Sequence, residues 1–515
     1  MKKILRLVFS KRFLVAITAV IQLAIMYILC TKLYGLGGGI YIAVTLIGLL
    51  CMLYLLENDN INPTYKLFWM LIMLFLPVSG VALYLLYGRT IRTILIGAYK
   101  SNLISSFDRY KKELKPNKEV CDEITAMDKD LGKQATYLQQ IAYAPPFKDT
   151  RAKYYSMGAD LFHDYLQDIK KAKKSIFIQY FIIDEGFLWD QILEILKEKA
   201  KNGIDVRIIY DAFGCMITLP ANYDKILESY SIKACIFNDL KFSRHLGDYL
   251  MFNHRDHRKI TVIDSNIGYG GGVNLADEYA NIIERHGVWK DTGFRLEGQG
   301  VWSMTCTFLQ NWEACSGKTT NYDSFHPTVS MPSDTIVQHY HDVPMDRYNI
   351  SENVYLTIIN NANNYVYMAT PYLVIDNEIL TALTLAAESG IDVRLIVPGI
   401  PDKWYVYYVT QSYYKVLLEA GVKIYEYTPG FIHAKMYVSD DNVAVVGSAN
   451  MDYRSLHLHF ENCCSFYGGK IVGDVKSDFE DMFSYCHMVT EEDVKSVKLY
   501  KRVMQIALRI LGPMM

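Results

Sequence analysis

One pattern occurs twice in this chain and restricts its fold more than any other feature. His257, Lys259 and Asp264 stand at relative positions 0, 2 and 7, with Gly271-Gly272 and Asn274 behind them; His433, Lys435 and Asp440 repeat the spacing, with Gly447-Ser448 and Asn450 behind. Residues two apart in an extended segment project from one face, so each His–Lys pair can address a single anion. Lysine brings a compact positive charge, asparagine brings amide donors, and histidine can act as nucleophile or general acid. Two such faces brought together make a phosphate site with two imidazoles. The bland alternative is two basic strands with unrelated histidines, and the matching glycine and asparagine tails count against it.

The surroundings of the motifs repeat as well. Ala159–Ala172 has the apolar periodicity of an amphipathic helix, Ser175–Ile183 is an apolar strand, and a helix over Ile192–Lys201 leads to a strand at Val206–Ile209. In the second half, Tyr365–Tyr372, Ile379–Glu388 and Val393–Val397 give the same strand–helix–strand order, which favours a parallel or mixed sheet covered by helices. Gly203-Ile204-Asp205-Val206-Arg207 recurs letter for letter as Gly390-Ile391-Asp392-Val393-Arg394. The pentads lie 187 residues apart and the histidines 176, an offset that insertions between duplicated halves would produce.

With its Gly-Gly or Gly-Ser and Asn tail, the doubled motif resembles that of the phospholipase D superfamily. The flanks Asn253-His254-Arg255-Asp256-His257, Trp289-Lys290-Asp291-Thr292 and Gly447-Ser448-Ala449-Asn450-Met451-Asp452-Tyr453-Arg454-Ser455 look like those of its bacterial cardiolipin synthases. Departures are small: Gln299-Gly300 stands where Gly-Pro-Ala is more usual, and Asp256 where Asn is frequent. The resemblance implies an α/β fold of two pseudo-symmetric phospholipase D-like halves, each a mixed sheet flanked by helices, behind an α-helical transmembrane region. It implies catalytic roles for His257, Lys259, Asp264, His433, Lys435 and Asp440, with phosphate binding by Asn274 and Asn450. It also implies that Asp291 and Glu461 are the acceptors that orient the histidines. By the family's usual polarity His257 is the nucleophile and His433 the acid and then base; the residues alone do not separate the two roles. Asp264 and Asp440 are less obviously chemical than the rest, and the family pattern suggests that they anchor the motif through charged hydrogen bonds.

At 515 residues the chain is long enough for two or three domains. Phe13–Cys30 and Ile40–Leu56 are uncharged runs of 18 and 17 residues, close to the roughly 20 that a spanning helix needs. The first follows five basic residues without a convincing cleavage site, so both are expected to be retained anchors. Leu67–Tyr87 is a third apolar run, broken by Pro77 and Gly80, and is expected to span with a kink. Basic residues on both sides of this region pull the topology in opposite directions; a cytoplasmic-facing catalytic part is preferred. The expected divisions are an anchor over 1–90 with two or three hydrophobic helices, a connecting region over 91–150, halves at 151–318 and 351–490, an inter-half linker over 319–350, and a C-terminal amphipathic helix over 491–515. That tail, apolar on one side and carrying Lys495, Lys498, Lys501, Arg502 and Arg509, suits an anionic lipid surface or plain docking on the domain.

Net charge is −2 with no long basic run, which argues against nucleic acid as a partner. Ten cysteines without regular spacing give no disulfide framework. His254-x-x-His257 and His457-x-His459 have ligand spacings but lack convincing further ligands, and Lys259 opposes a cation; no metal and no cofactor are expected. The aromatic patch at Trp404–Tyr408 suits either core packing or the lipid headgroup level. The reaction these expectations converge on is phosphatidyl transfer between two phosphatidylglycerol molecules, on a bacterial plasma membrane. Transfer to water or another alcohol is the runner-up, with a nuclease or a non-catalytic lipid-binding protein behind it.

Overall fold

A computed structural model describes residues 24, 36–58, 61–87, 98–239, 253–344 and 348–515. Intrachain contacts divide the chain into residues 1–96 with 243–253, and a larger body holding the rest.

Within the first unit, the run expected to span at Phe13–Cys30 lies outside the described residues apart from residue 24. The second apolar run forms the helix Leu36–Glu57, whose Leu46, Leu49, Leu50, Leu53 and Leu56 are all more than half exposed. The third does not form the expected kinked span. Leu76 ends the helix Pro63–Phe75, and Pro77 starts a second, Pro77–Tyr87, that folds back on it. Gly80 makes the close approach possible, since a Cβ there would sit 2.5 Å from the Ile72 carbonyl oxygen, and Trp69 meets Tyr84 edge-on. At 13 and 11 residues, rising about 1.5 Å each, both arms fall short of a bilayer's roughly 30 Å. Among the described residues no helix is long and apolar enough to cross a membrane; the side chains of Leu36–Glu57 are described without interruption only from residue 43 onward.

The larger body is built on two sheets of one design. The first contains β1 (Thr150–Tyr155), β2 (Ser175–Tyr180), β3 (Asp205–Asp211), β4 (Lys233–Phe237), β5 (Ile260–Ile263), β6 (Ile267–Gly271) and β7 (Gly293–Gly298), in the order β1-β7-β6-β5-β2-β3-β4. The second contains β8 (Ile336–Asp342), β9 (Tyr365–Ala369), β10 (Asp392–Pro398), β11 (Lys423–Tyr427), β12 (Met436–Ser439), β13 (Val443–Gly447), β14 (Glu461–Tyr467) and β15 (Cys486–Met488), in the order β15-β11-β10-β9-β12-β13-β14-β8. Read backwards, the second list is the first with one extra edge strand. The parallel pairs β2–β3 and β9–β10 are the strand–helix–strand units read from the sequence, and the motif strands β5 and β12 pair antiparallel beside them. The repeated pentad opens each second strand: Gly203 and Gly390 turn with φ of 82° and 92°, and Arg207 and Arg394 pair with Asp205 and Asp392 two residues back.

One apolar layer joins the halves, running from Phe177, Ile260, Val262 and Phe294 to Met436, Val438, Val446 and Phe466. Two expected divisions change. The polar stretch 319–350 holds β8, which caps its sheet by pairing with β14, so the second half begins before residue 351. The connecting region 91–150 includes the helices Lys118–Met127 and Lys129–Ile141, whose Ile124, Ala135 and Leu138 join the core of the second half. The C-terminal region is two helices, Glu491–Ser496 and Leu499–Ile510.

Candidate active site

The histidine and lysine of each motif lie on the extended segment just before the motif strand, because their backbone is claimed by the opposite half. The His257 N–H donates to the Phe460 carbonyl (2.9 Å), and the His433 N–H donates to the Lys290 carbonyl (2.7 Å). Short parallel bridges, Asp256 to Phe460 and Lys290 to Ile432, repeat this crossing. The next residues, Glu461 and Asp291, thereby arrive under the histidine of the other half. His257 Nδ1 lies 2.9 and 3.0 Å from the Glu461 carboxylate oxygens, and His433 Nδ1 lies 2.6 Å from Asp291 Oδ2. Both acceptors named from the sequence are therefore at the imidazoles, each serving the motif it does not follow.

The four cationic and imidazole side chains are buried together. The Lys259 Nζ donates to the His257 carbonyl at 2.5 Å, and the Lys435 Nζ contacts the His433 carbonyl and stands 2.8 Å from His433 Nδ1. Burial, reinforced by Lys259 and Lys435, holds both imidazoles well below the ordinary histidine range. Burial also pulls Lys259 down to about 7 and Lys435 to about 8, and pushes Asp291 up to about 7. A phosphodiester anion placed among these groups would restore the charge of both lysines.

The remaining expected residues divide. Asn274 gives its carbonyl to the Ile182 N–H (3.2 Å) and donates to the Tyr279 hydroxyl (2.8 Å); Asn450 donates to Asp452 Oδ2 (2.9 Å). Both asparagines therefore brace neighbouring loops, and each amide has a second hydrogen for an anion. Asp264 and Asp440 are not among the clustered groups. They sit beyond the far ends of β5 and β12 in left-handed turns, φ 52° and 50°, and each carboxylate accepts three backbone N–H groups: of residues 173, 174 and 175 for Asp264, and of 363, 364 and 365 for Asp440. A strand of four residues rising about 3.3 Å each separates them from the histidines. Their part is to fasten the motif strand to the start of β2 or β9.

The glycine–glycine tail has a steric reason. A Cβ on Gly272 would stand 2.2 Å from Asp291 Oδ1, so only glycine lets this carboxylate reach His433. In the second half the equivalent position is Ser448, whose hydroxyl donates to Glu461 Oε2.

Several neighbours were missed in the sequence. His459 packs beside His257 at 5.5 Å between ring centres, and the Arg454 Nε donates to its Nε2 (3.1 Å). Phe181 lies edge-on to His257, while Tyr279, Trp289 and Phe431 wall His433. The Asn462 Oδ1 accepts the Lys259 N–H at 3.0 Å. His459 left a trace in the His457-x-His459 spacing, and Trp289 and Arg454 in the flanks of the motifs, but none with a role attached. His257, His459 and Glu461 bring donor atoms close enough to hold a metal ion, but Lys259 and the Arg454 guanidinium oppose a cation there. His254 is turned away, its Nδ1 on the Leu458 carbonyl at 2.6 Å.

Residues 165–284 and 355–483 match the family model described as cardiolipin synthase, PLD-like domain, and residues 40–89 match the phospholipase D-nuclease N-terminal model. A cardiolipin synthase of Halalkalibacterium halodurans is 33% identical over 483 residues, covering 92% of this chain and 93% of the relative. This chain belongs to the cardiolipin synthase family of PLD-like proteins. An uncharacterised protein of Streptococcus mutans is 38% identical over 470 residues, covering 90% of this chain and 99% of that one. In fold, the family chain is similar to phosphatidylserine synthase of Haemophilus influenzae, with a TM-score of 0.57 at 13% identity over 74% of this chain and all of that one.

Proposed function

We propose that this protein is a cardiolipin synthase that moves a phosphatidyl group from one phosphatidylglycerol to another through a phosphatidyl-histidine. The observation that carries the mechanism is the crossed pair of acceptors, which leaves the Nε2 atoms of two buried imidazoles free for chemistry among two lysines. The Glu461 carboxylate takes the Nδ1–H of His257, so the Nε2 lone pair is available to attack phosphorus in line. The bond from phosphorus to the glycerol headgroup oxygen breaks, and that oxygen leaves as free glycerol with a proton from His433 Nε2. Asp291, raised to about 7, keeps a proton in the Asp291–His433 pair near neutral pH and passes it to Nδ1 as Nε2 gives its own away. The terminal hydroxyl of the second phosphatidylglycerol then yields its proton to His433 Nε2 and attacks phosphorus. The P–N bond breaks, cardiolipin forms, and His257 is regenerated. Lys259 and Lys435 neutralise the non-bridging oxygens throughout, and the second amide hydrogens of Asn274 and Asn450 add to them.

The protein works on a bacterial plasma membrane, held through its N-terminal region; the exposed leucines of Leu36–Glu57 and the match over residues 40–89 support this reading. The basic residues that follow the third apolar run favour a catalytic part on the cytoplasmic side.

Lipid mass spectrometry on the purified chain in phosphatidylglycerol vesicles containing EDTA tests the reaction. Cardiolipin and free glycerol in equal amounts are expected, with both lost in His257→Ala and His433→Ala. Phosphatidic acid in place of cardiolipin would make water the acceptor and replace synthase by phospholipase D.

A further inference from the structure

The helix Leu499–Ile510 is docked on the catalytic body by one side only. Gln505 is buried, with its amide 3.5 Å from Gln411 Oε1, and Arg509 stacks on Tyr413 at 4.1 Å; both partners belong to or adjoin the helix Trp404–Ser412. On the side turned outward, Leu499, Val503, Ile506 and Ile510 are between 52% and 77% exposed. Their spacing of four, three and four residues puts them within an arc of about 60°. Tyr500, Met504 and Leu511 extend the exposed apolar strip. A monomeric soluble surface rarely carries so many large apolar groups in one stripe.

Charge identifies what the stripe meets. Lys498 and Arg502 stand at the edge of the apolar arc, between it and the docked side, where long cationic side chains can reach phosphate groups while the stripe is immersed. The Arg502 guanidinium donates to the Val494 and Lys495 carbonyls, and among the described residues Lys498 and Lys501 have no carboxylate partner. Apolar stripe and unneutralised cations together fit the headgroup boundary of an anionic bilayer, whereas a second copy of the chain would offer these cations no matching acidic stripe on the same helix.

The position matters for the reaction. The helix rests on a segment that begins beside Asp402 and Lys403, whose charges bear on His433. Its C-terminal turn carries buried Gly512 and Pro513 to the short helix Tyr453–His457, where the Arg454 N–H donates to the Met515 carbonyl at 3.2 Å. Arg454 is the residue whose guanidinium holds His459 against His257. The helix thus adjoins one chain segment leading to each catalytic histidine. We infer that Leu499–Ile510, with Trp404 (half exposed) at the start of its supporting helix, is an interfacial membrane-binding surface that seats the rim of the active site on anionic phospholipid.

The test is photo-crosslinking of the full chain in vesicles, with a benzophenone side chain replacing Ile506 and, as a control, Glu492. In vesicles of phosphatidylglycerol and phosphatidylcholine, intact mass is expected to show a one-phospholipid adduct at position 506 and none at 492. Lys498→Glu should lower the adduct at 506 by about fivefold or more, toward the yield in pure phosphatidylcholine. No lipid adduct at 506 in anionic vesicles overturns the inference, as does a crosslinked dimer of the chain at that position. The readout needs no turnover, so it stands or falls separately from the synthase reaction.

Discussion

The two halves share a strand order and differ where the chemistry is. In one, His257 rests on a glutamate that also accepts the Ser448 hydroxyl, with His459 and Arg454 beside it. In the other, His433 rests on an aspartate that accepts the Thr292 N–H and lies against Gly272, inside a wall of Tyr279, Trp289 and Phe431. Asp291 is pushed up to about 7 by burial, so the Asp291–His433 pair can keep a proton near neutral pH. A duplicated motif supplies two similar imidazoles, and in the proposed reaction it is the surroundings that would make His257 the nucleophile and His433 the acid. The division of labour lives in the residues around the motif.

The largest expected effect separates the acceptors. Glu461→Gln should slow formation of the phosphatidyl-histidine by about 10²–10⁴-fold, because an amide does not fix the Nδ1–H form of His257. Asp291→Asn should cost a similar factor with phosphatidylglycerol, since an amide cannot relay a proton to Nδ1. The leaving group tells them apart. With phosphatidyl-p-nitrophenol, whose departing oxygen needs no proton, Asp291→Asn should recover most of the burst of nitrophenol and Glu461→Gln should not. Equal recovery, or recovery only in Glu461→Gln, would reverse the two roles.

A smaller effect is expected from pH. Lys259 and Lys435 are lowered to about 7 and 8, so raising the pH through that window removes the cations that bind phosphate, and the same rise strips the proton from Asp291. The ratio kcat/KM should therefore fall above roughly pH 8, by about tenfold per pH unit for each of these protons that the reaction requires, with KM rising as part of the fall. On the acid side, both imidazoles are held low by burial, and protonation of His257 should limit the rate only below the ordinary histidine range. A rate still climbing at pH 9 would mean that the lysines keep their protons and act by other means.

How much of this was legible depended on the distance over which a residue acts. The strand–helix–strand units could be read because β2, β3, β9 and β10 are short runs of buried apolar residues following amphipathic segments, and because the Gly203–Arg207 turn recurs intact. β8 was hidden: as an edge strand inside a polar stretch, its Gln338, His339 and His341 look like linker residues, though all are buried against β14 and the helices before it. Asp264 and Asp440 carry the motif's name and stand away from its chemistry; sequence spacing reports that a residue is needed and leaves open whether it holds the backbone or the substrate. The crossed acceptors could be named only through family resemblance, since contacts over 142 and 204 residues leave no local periodicity. The third apolar run misled because hydropathy is blind to the turn at Leu76-Pro77.

The smallest effect tests the comparison most directly. Ser448 and Gly272 are equivalent positions, and only Ser448 carries a hydroxyl to its carboxylate. A hydrogen bond to a carboxylate contributes about 1.5–3 kcal/mol, part of which holds the Glu461 side chain aimed at His257. Ser448→Ala should therefore slow the attack on phosphorus by about tenfold while leaving release of p-nitrophenol and phosphatidylglycerol's headgroup equally affected, because the nucleophile is weakened for both donors. The converse change, Gly272→Ser, does not build a second Glu461-like site. Its Cβ would press on Asp291 Oδ1 and displace the carboxylate from His433, so the loss should be larger with phosphatidylglycerol than with the nitrophenyl donor. If Ser448→Ala left the attack on phosphorus at its full rate, the hydroxyl would be packing rather than tuning; if Gly272→Ser changed the two donors alike, the asymmetry between the histidines would have to come from His459, Arg454 and the aromatic wall.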